Sequence, residues 1–187
     1  IVQLPNIMEL TLTIFAAARV GAVISPIPVQ WRGHEIKHAV ELTDAVLCVT
    51  SHSFMGVDHI DLFRASLPSD TSVRHYVTVG AGSADGAVNM ADILESEIDE
   101  AEAANRLEGL QSGANDILTI CWTSGTEAAA KAVPRSHNHW LAISRAVVES
   151  FLKPDQECTY LSLFPTINMA GLGAVLIPWV MTGGRMI

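Results

Sequence analysis

The chain has 187 residues, 49% of them hydrophobic and 17% charged, enough apolar material for one substantial core or two small ones. Its formal net charge of -9 opposes the phosphates of nucleic acid and anionic lipid, so neither is expected as a partner. Cys48, Cys121 and Cys158 form no C-x-x-C pair and lie in apolar stretches, as buried thiols of a reducing, cytoplasmic compartment do.

The opening Ile1-Val2-Gln3-Leu4-Pro5-Asn6 lacks an initiator Met and a basic n-region, so it reads as mid-protein sequence rather than a signal peptide. Asn6 and Glu9 have capping-box spacing, and Ile7, Leu10, Ile14 and Phe15 repeat at helical period until Gly21, which predicts a first helix. A short strand over 22–25 is closed by Pro26 and Pro28. A helix over 33–43, a strand over 45–49, a helix over 57–67 and a strand over 73–79 follow. After a loop over 80–86 comes an acidic helix over 90–104, with a candidate boundary in the polar stretch 101–115. Beyond it lie a strand over 117–122, a helix over 136–151, a strand over 160–164 and a helix over 171–181. Gly183-Gly184 then turns into Arg185-Met186-Ile187, which reads as the start of a strand.

This alternation predicts an α/β fold: a largely parallel, doubly wound sheet with helices on both faces and its binding site at the carboxyl ends of strands. The charge-free stretch 158–184 is long enough for a membrane span, but Pro165, Asn168, Pro178 and its glycines favour a buried strand, loop and helix.

The stretch that carries chemistry is Trp122-Thr123-Ser124-Gly125-Thr126-Glu127-Ala128-Ala129-Ala130-Lys131-Ala132-Val133, which leaves an apolar strand and precedes a helix. Three hydroxyls, a flexible Gly and a Lys at the carboxyl end of a strand suit the wrapping of a polyphosphate. A surface turn of small polar residues has the same composition. A Walker-type P-loop does not fit, because Gly125 has no second Gly before Lys131 and no hydroxyl follows that Lys.

Trp122 to Thr126, with Lys131 and His137, resembles the phosphate-binding signature of the adenylate-forming superfamily, especially its acyl-CoA synthetases and aryl-acid ligases. Glu127 stands where that family has a hydroxyl, and Ala128, Ala130 and Ala132 where it has Gly, Pro and Gly. Those changes remove positive-φ freedom and set a carboxylate near phosphate. Phe164-Pro165-Thr166-Ile167-Asn168-Met169-Ala170-Gly171 is similar to the family's Pro-x-x-His-x-x-Gly segment, with Asn168 in the His position. Asn168 read without the family is a loop or helix-start residue. The opening Gln3-Leu4-Pro5-Asn6 and Ala16 to Val23 also resemble the family's first helix and strand, so the likeness spans nearly the whole chain.

The resemblance implies that a carboxylate attacks the α-phosphorus of ATP, giving an acyl adenylate and pyrophosphate, and that the acyl group then passes to a thiol, coenzyme A for preference. Thr123, Ser124, Gly125, Thr126 and Lys131 would hold the β- and γ-phosphates with Mg2+, and Asn168 and Gly171 would shape the acid pocket. His137 is expected to help start the following helix. Later family segments supply the ribose-gripping acid, the Glu near magnesium and a mobile Lys. The chain is therefore expected to be part of an N-terminal adenylation domain, inactive alone, with a homodimer as its candidate assembly. The alternative class is a non-catalytic globular unit or interaction domain.

Two rival motifs compete. His34-Glu35-Ile36-Lys37-His38 matches H-E-x-x-H, which on a helix places two imidazoles one turn apart for zinc, although Lys37 adds positive charge and no third ligand follows. Gly80 to Gly86 imitates a dinucleotide fingerprint, but Asp85 replaces its third Gly. Asp92, Glu95, Glu97, Asp99, Glu100 and Glu102 are spread around a solvated helix.

Overall fold

Side chains point alternately to the two faces of the first strands, and that alternation decides how the layers assemble. The structure, a computed structural model, describes residues 1–82, 84–110, 112–123, 129–151 and 158–187. In chain order the first elements are β1 (Val2–Gln3), α1 (Met8–Val20), α2 (Gly33–Thr43), β2 (Leu47–Ser51), β3 (Ser53–Phe54), β4 (Val57–Asp58) and α3 (His59–Ser66). They are followed by β5 (His75–Val79), β6 (Val88–Asn89), α4 (Met90–Glu95) and α5 (Glu100–Glu108). The remainder comprises β7 (Ile117–Trp122), β8 (Ala132–Ser136), α6 (His137–Phe151), β9 (Thr159–Tyr160), α7 (Met169–Gly171), a π-helical turn Leu172–Leu176, α8 (Ile177–Thr182) and β10 (Arg185–Met186).

Strands β1, β2, β5 and β6 form a parallel sheet in the order β1-β2-β5-β6, with Val2 opposite Val49 and Val49 opposite Val77. Val2, Val49 and Val79 pack on α1 through Leu10 and Ile14, while Ile1 and Cys48 pack on α2 and α3 through Ile36, Ala39, Val40 and Phe63. Two cores on opposite faces follow from side chains alternating along each strand, so the expected two-sided α/β arrangement is present.

The strand expected over 22–25 exists as a seam. Val2 N donates to Ser25 O (3.0 Å), Ile27 N to Val2 O (2.8 Å), Ile24 N to Leu118 O (2.9 Å) and Ile120 N to Ile24 O (2.9 Å). Residues 24–27 therefore join the parallel sheet to β7. Pro26 and Pro28 lack the N–H that a longer ladder needs.

Several expectations need correction. The loop after β7 leads first into β8, an antiparallel partner of β7, and only then into α6. Pro134 sits within β8 opposite Ile120, a position open to proline because β8 pairs on one side only among the described residues. The acidic helix is two helices: the Asp99 carboxylate accepts from Ala101 N and Glu102 N and so starts α5 anew. The strand over 160–164 shrinks to β9, matching its two-residue partner β10. The helix over 57–67 starts only at His59, where Asp58 accepts from Asp61 N. Finally, Asn6 does not cap α1, whose N-cap is Ile7 without a side-chain bond. Its amide is engaged far along the chain.

Among the described residues no helix is long and apolar enough to cross a membrane. Cys48 and Cys121 are buried, and burial pushes the Cys48 thiol up to about 11 and raises that of Cys121 as well, so both act as inert core groups. Cys158 is half-buried.

Candidate active site

A cleft of about 600 Å3 opens where β1, the 24–27 seam and β7 all end. That is the carboxyl edge of the sheet, where α/β folds place their ligands. Leu4, Pro5 and Asn6 continue from β1, Pro28 to Trp31 from the seam, and Trp122 and Thr123 from β7. Phe54 and Met55 add one flank, Pro165, Ile167 and Asn168 another. The described lining carries no charged side chain, so a ligand's charge would have to be met by backbone groups, amides, hydroxyls or residues at the rim.

Trp122 is held on three sides. Its Nε1–H donates to Ser25 Oγ at 2.9 Å, its ring meets Trp31 in a T-shaped contact with centroids 5.4 Å apart, and the His38 ring lies edge-on at 6.0 Å. Edge-to-face pairs of this kind favour one relative orientation over free sliding. Next to Trp122, Thr123 N donates to Lys131 O at 3.1 Å, and Lys131 N lies 3.4 Å from Thr123 Oγ1 as a long return bond. Thr123 and Lys131 thus close the stem of the hairpin. His38 Nε2 is 3.0 Å from Ala130 O, so in the Nε2–H tautomer α2 ties down the peptide that leads into Lys131.

Of the residues expected to wrap phosphate, Thr123 lines the cleft and Lys131 stands across the stem from it. Ser124, Gly125 and Thr126 lie outside the described residues, as do Glu127 and Ala128. Asn168 has two observed placements. It lines the cleft, and its Oδ1 accepts from Gly171 N at 3.0 Å to start α7. Gly171 is buried and is not among the residues lining this cleft; a Cβ there would run into Pro165 O, so the turn packs closely against this glycine. His137 opens α6, in agreement with a structural role.

The zinc alternative is not supported. Glu35 accepts from Arg32 N at 3.1 Å, and hydrogen bonds from the backbone of Glu35 and Arg32 hold its carboxyl below the ordinary range. That carboxylate is a helix cap, and His38 is an anchor for the hairpin. Among the described residues no group of three or more His, Cys, Asp or Glu side chains is placed to hold a metal ion.

Sequence reasoning missed Gln3, Ser25, Trp31 and His38 as builders of the cleft. Trp31, set in a proline-bounded loop, was the one available signal, because an aromatic residue outside regular structure needs a partner to bury it.

Residues 1–187 match the family described as AMP-binding enzyme. The chain is 27% identical over 87% of its length to 2-succinylbenzoate--CoA ligase of Arabidopsis thaliana, covering 28% of that protein. It is 25% identical over 100% of its length to 2,3-dihydroxybenzoate-AMP ligase of Bacillus subtilis, covering 33% of it. Among solved structures, ATP-bound MatB of Rhodopseudomonas palustris superposes with a TM-score of 0.73 at 20% identity, over 100% of this chain and 34% of that one. MbtA of Mycobacterium smegmatis superposes with a TM-score of 0.75 at 24% identity, over 99% of this chain and 33% of that one. These superpositions establish the fold. The chain thus spans about a third of the length of these relatives.

Proposed function

The chain belongs to the AMP-binding enzyme family, and from that premise we propose that the whole protein is an ATP-dependent carboxylic acid:CoA ligase. The reaction has two steps. A substrate carboxylate oxygen attacks the α-phosphorus of ATP, forming an acyl–phosphate bond as the bond to the leaving pyrophosphate breaks. A thiol, coenzyme A in this reading, then attacks the acyl carbon and AMP departs.

The observation that carries the proposal is the junction of an apolar cleft with the hydroxyl-bearing hairpin stem at Thr123 and Lys131. Thr123, Ser124, Gly125, Thr126 and Lys131 serve as phosphate-binding residues, with Lys131 supplying the positive charge that the leaving pyrophosphate needs. The apolar walls at Trp31, Trp122 and Ile167 exclude water, which strengthens those interactions and protects the adenylate from hydrolysis. The same walls favour an aromatic or otherwise apolar acid. Because Asn168 Oδ1 is committed to Gly171 N, its Nδ2 is the group that donates to the acid.

The described lining contains no carboxylate and so does not fit a directly coordinated Mg2+; no step is assigned to the ion. The test is acid-dependent exchange of labelled pyrophosphate into ATP by the whole protein, across a panel of aryl and alkyl acids, followed by thioester formation on adding coenzyme A. Exchange above background supports the proposal. Its absence with every acid supports the non-catalytic alternative.

A further inference from the structure

Gln3, the last residue of β1, is fully buried, and both polar atoms of its side chain are engaged. Nε2 donates to Pro28 O at 2.9 Å and to Trp31 O at 3.2 Å, while Oε1 lies 2.9 Å from His59 Nδ1. Two backbone carbonyls can receive only N–H, so the amide has one possible orientation and His59 must carry its proton on Nδ1. The backbone carbonyl of Gln3 also accepts from Thr50 Oγ1 at 3.3 Å, which ties the residue to β2. His59 opens α3 and is 1% exposed. Burial first, then the charge of Arg32, hold its pKa below the usual imidazole range, in keeping with the neutral Nδ1–H tautomer the geometry requires.

The two carbonyls that Gln3 grips belong to the turn from Pro28 to Trp31, all four residues of which line the cleft. At the end of that turn the Trp31 ring meets Trp122, the residue before Thr123. A core asking only for stability is served as well by an apolar side chain, since a buried polar group contributes little net energy. What a fully satisfied polar network adds is one specified arrangement.

We propose that Gln3 and His59 are positioning residues for the cleft: His59 Nδ1–H orients the Gln3 amide, which fixes the Pro28 to Trp31 turn and so sets the Trp31–Trp122 wall against which the acid is held. The inference rests on the ligase reading for its catalytic consequence and on geometry alone for its structural one.

The test uses the whole protein with Gln3→Leu, His59→Leu and His59→Asn, the last keeping a donor where Nδ1–H stood. Two readouts are taken. One is the exciton couplet of the Trp31–Trp122 pair in circular dichroism, identified by its loss in Trp31→Phe. The other is KM for the acid against kcat in pyrophosphate exchange. The expected result is loss of the couplet and an acid KM raised about tenfold in the two Leu variants, with His59→Asn close to wild type on both. Should Gln3→Leu fail to fold, the His59 pair, which leaves the bonds from Gln3 to the turn available, decides alone. Folded Leu variants that keep the couplet and the KM overturn the proposal. If wild type shows no exchange with any acid, the ligase reading fails, and the couplet by itself decides whether the pair sets the wall.

Discussion

Asn6 grips Thr166 across almost the full length of the chain: its Oδ1 accepts from Thr166 N at 2.9 Å and from Thr166 Oγ1 at 3.2 Å, while its Nδ2 donates to Phe164 O at 2.9 Å. One side chain therefore fastens the segment bearing Asn168 to the end of β1. Asn6→Ala removes these bonds and leaves the buried Thr166 with an unmet donor, a loss on the order of 2 kcal/mol. Urea unfolding of the whole protein should show it as a lower midpoint with an unchanged slope. The KM for the acid should rise more than that for ATP, because the released segment flanks the apolar cleft.

Lys131→Ala in the whole protein should lower the pyrophosphate exchange rate by about a hundredfold or more, as the loss of a group facing developing negative charge does. Because Lys131 joins the hairpin stem through its backbone, the fold should persist. Unaltered exchange kinetics would remove Lys131 from the phosphate site.

His38→Ala tests the hairpin anchor against the zinc reading. Without the Nε2 contact to Ala130 O, the stem should loosen and KM for ATP should rise severalfold, a loss near 1 kcal/mol. Metal analysis of the dialysed wild-type protein should find zinc well below stoichiometric, and one retained zinc per chain would restore the H-E-x-x-H interpretation.

Gly171→Ala drives a methyl group into Pro165 O and the adjoining backbone of Thr166, which has no flexible side chain to move aside. The turn has to open, which costs about 1–3 kcal/mol as overpacking does. Thermal unfolding should detect it. Ala at neighbouring Ala170 is already native, so the sensitivity belongs to the one close approach.

The buried His59 gives a pH dependence of definite sign. Folding lowers its pKa from the ordinary 6.5, so the unfolded chain takes up a proton that the folded chain resists. Its contribution to stability is complete above that ordinary value and declines as the pH falls below it. Urea midpoints compared between neutral and mildly acid pH should drop further for wild type than for His59→Asn, and equal drops in both would show that His59 is not the group responsible.

Much of the framework could be read from residue pattern alone. The helix over 33–43 appears with those bounds because its apolar positions Ile36, Ala39 and Val40 recur at helical spacing and all face the core. Local signals failed where a distant partner decided the outcome. The spacing of Asn6 and Glu9 is right for a capping box, yet Thr166 and Phe164 offer Asn6 better-placed groups that no local window contains. β8 was missed for a similar reason: Pro134 disqualifies a central strand, and only the one-sided pairing with β7 makes it acceptable. At the candidate site, the two family-like segments drew attention to Thr123 and Asn168, which line the cleft, whereas Gln3, His38 and Trp31 matter through contacts that join separate layers.

The hydrogen bonds linking Ile24 to Leu118 and Ile120 have a bearing on how the molecule is made. Their partners are distant in sequence, so the loop-closure entropy falls on a late event, after β1, β2 and β5 have found their own nearer neighbours. On the ribosome, the early layers can settle before β7 has emerged. Completion of the cleft is thereby deferred until synthesis has passed that strand, because Trp122 and Thr123 at its end form one wall.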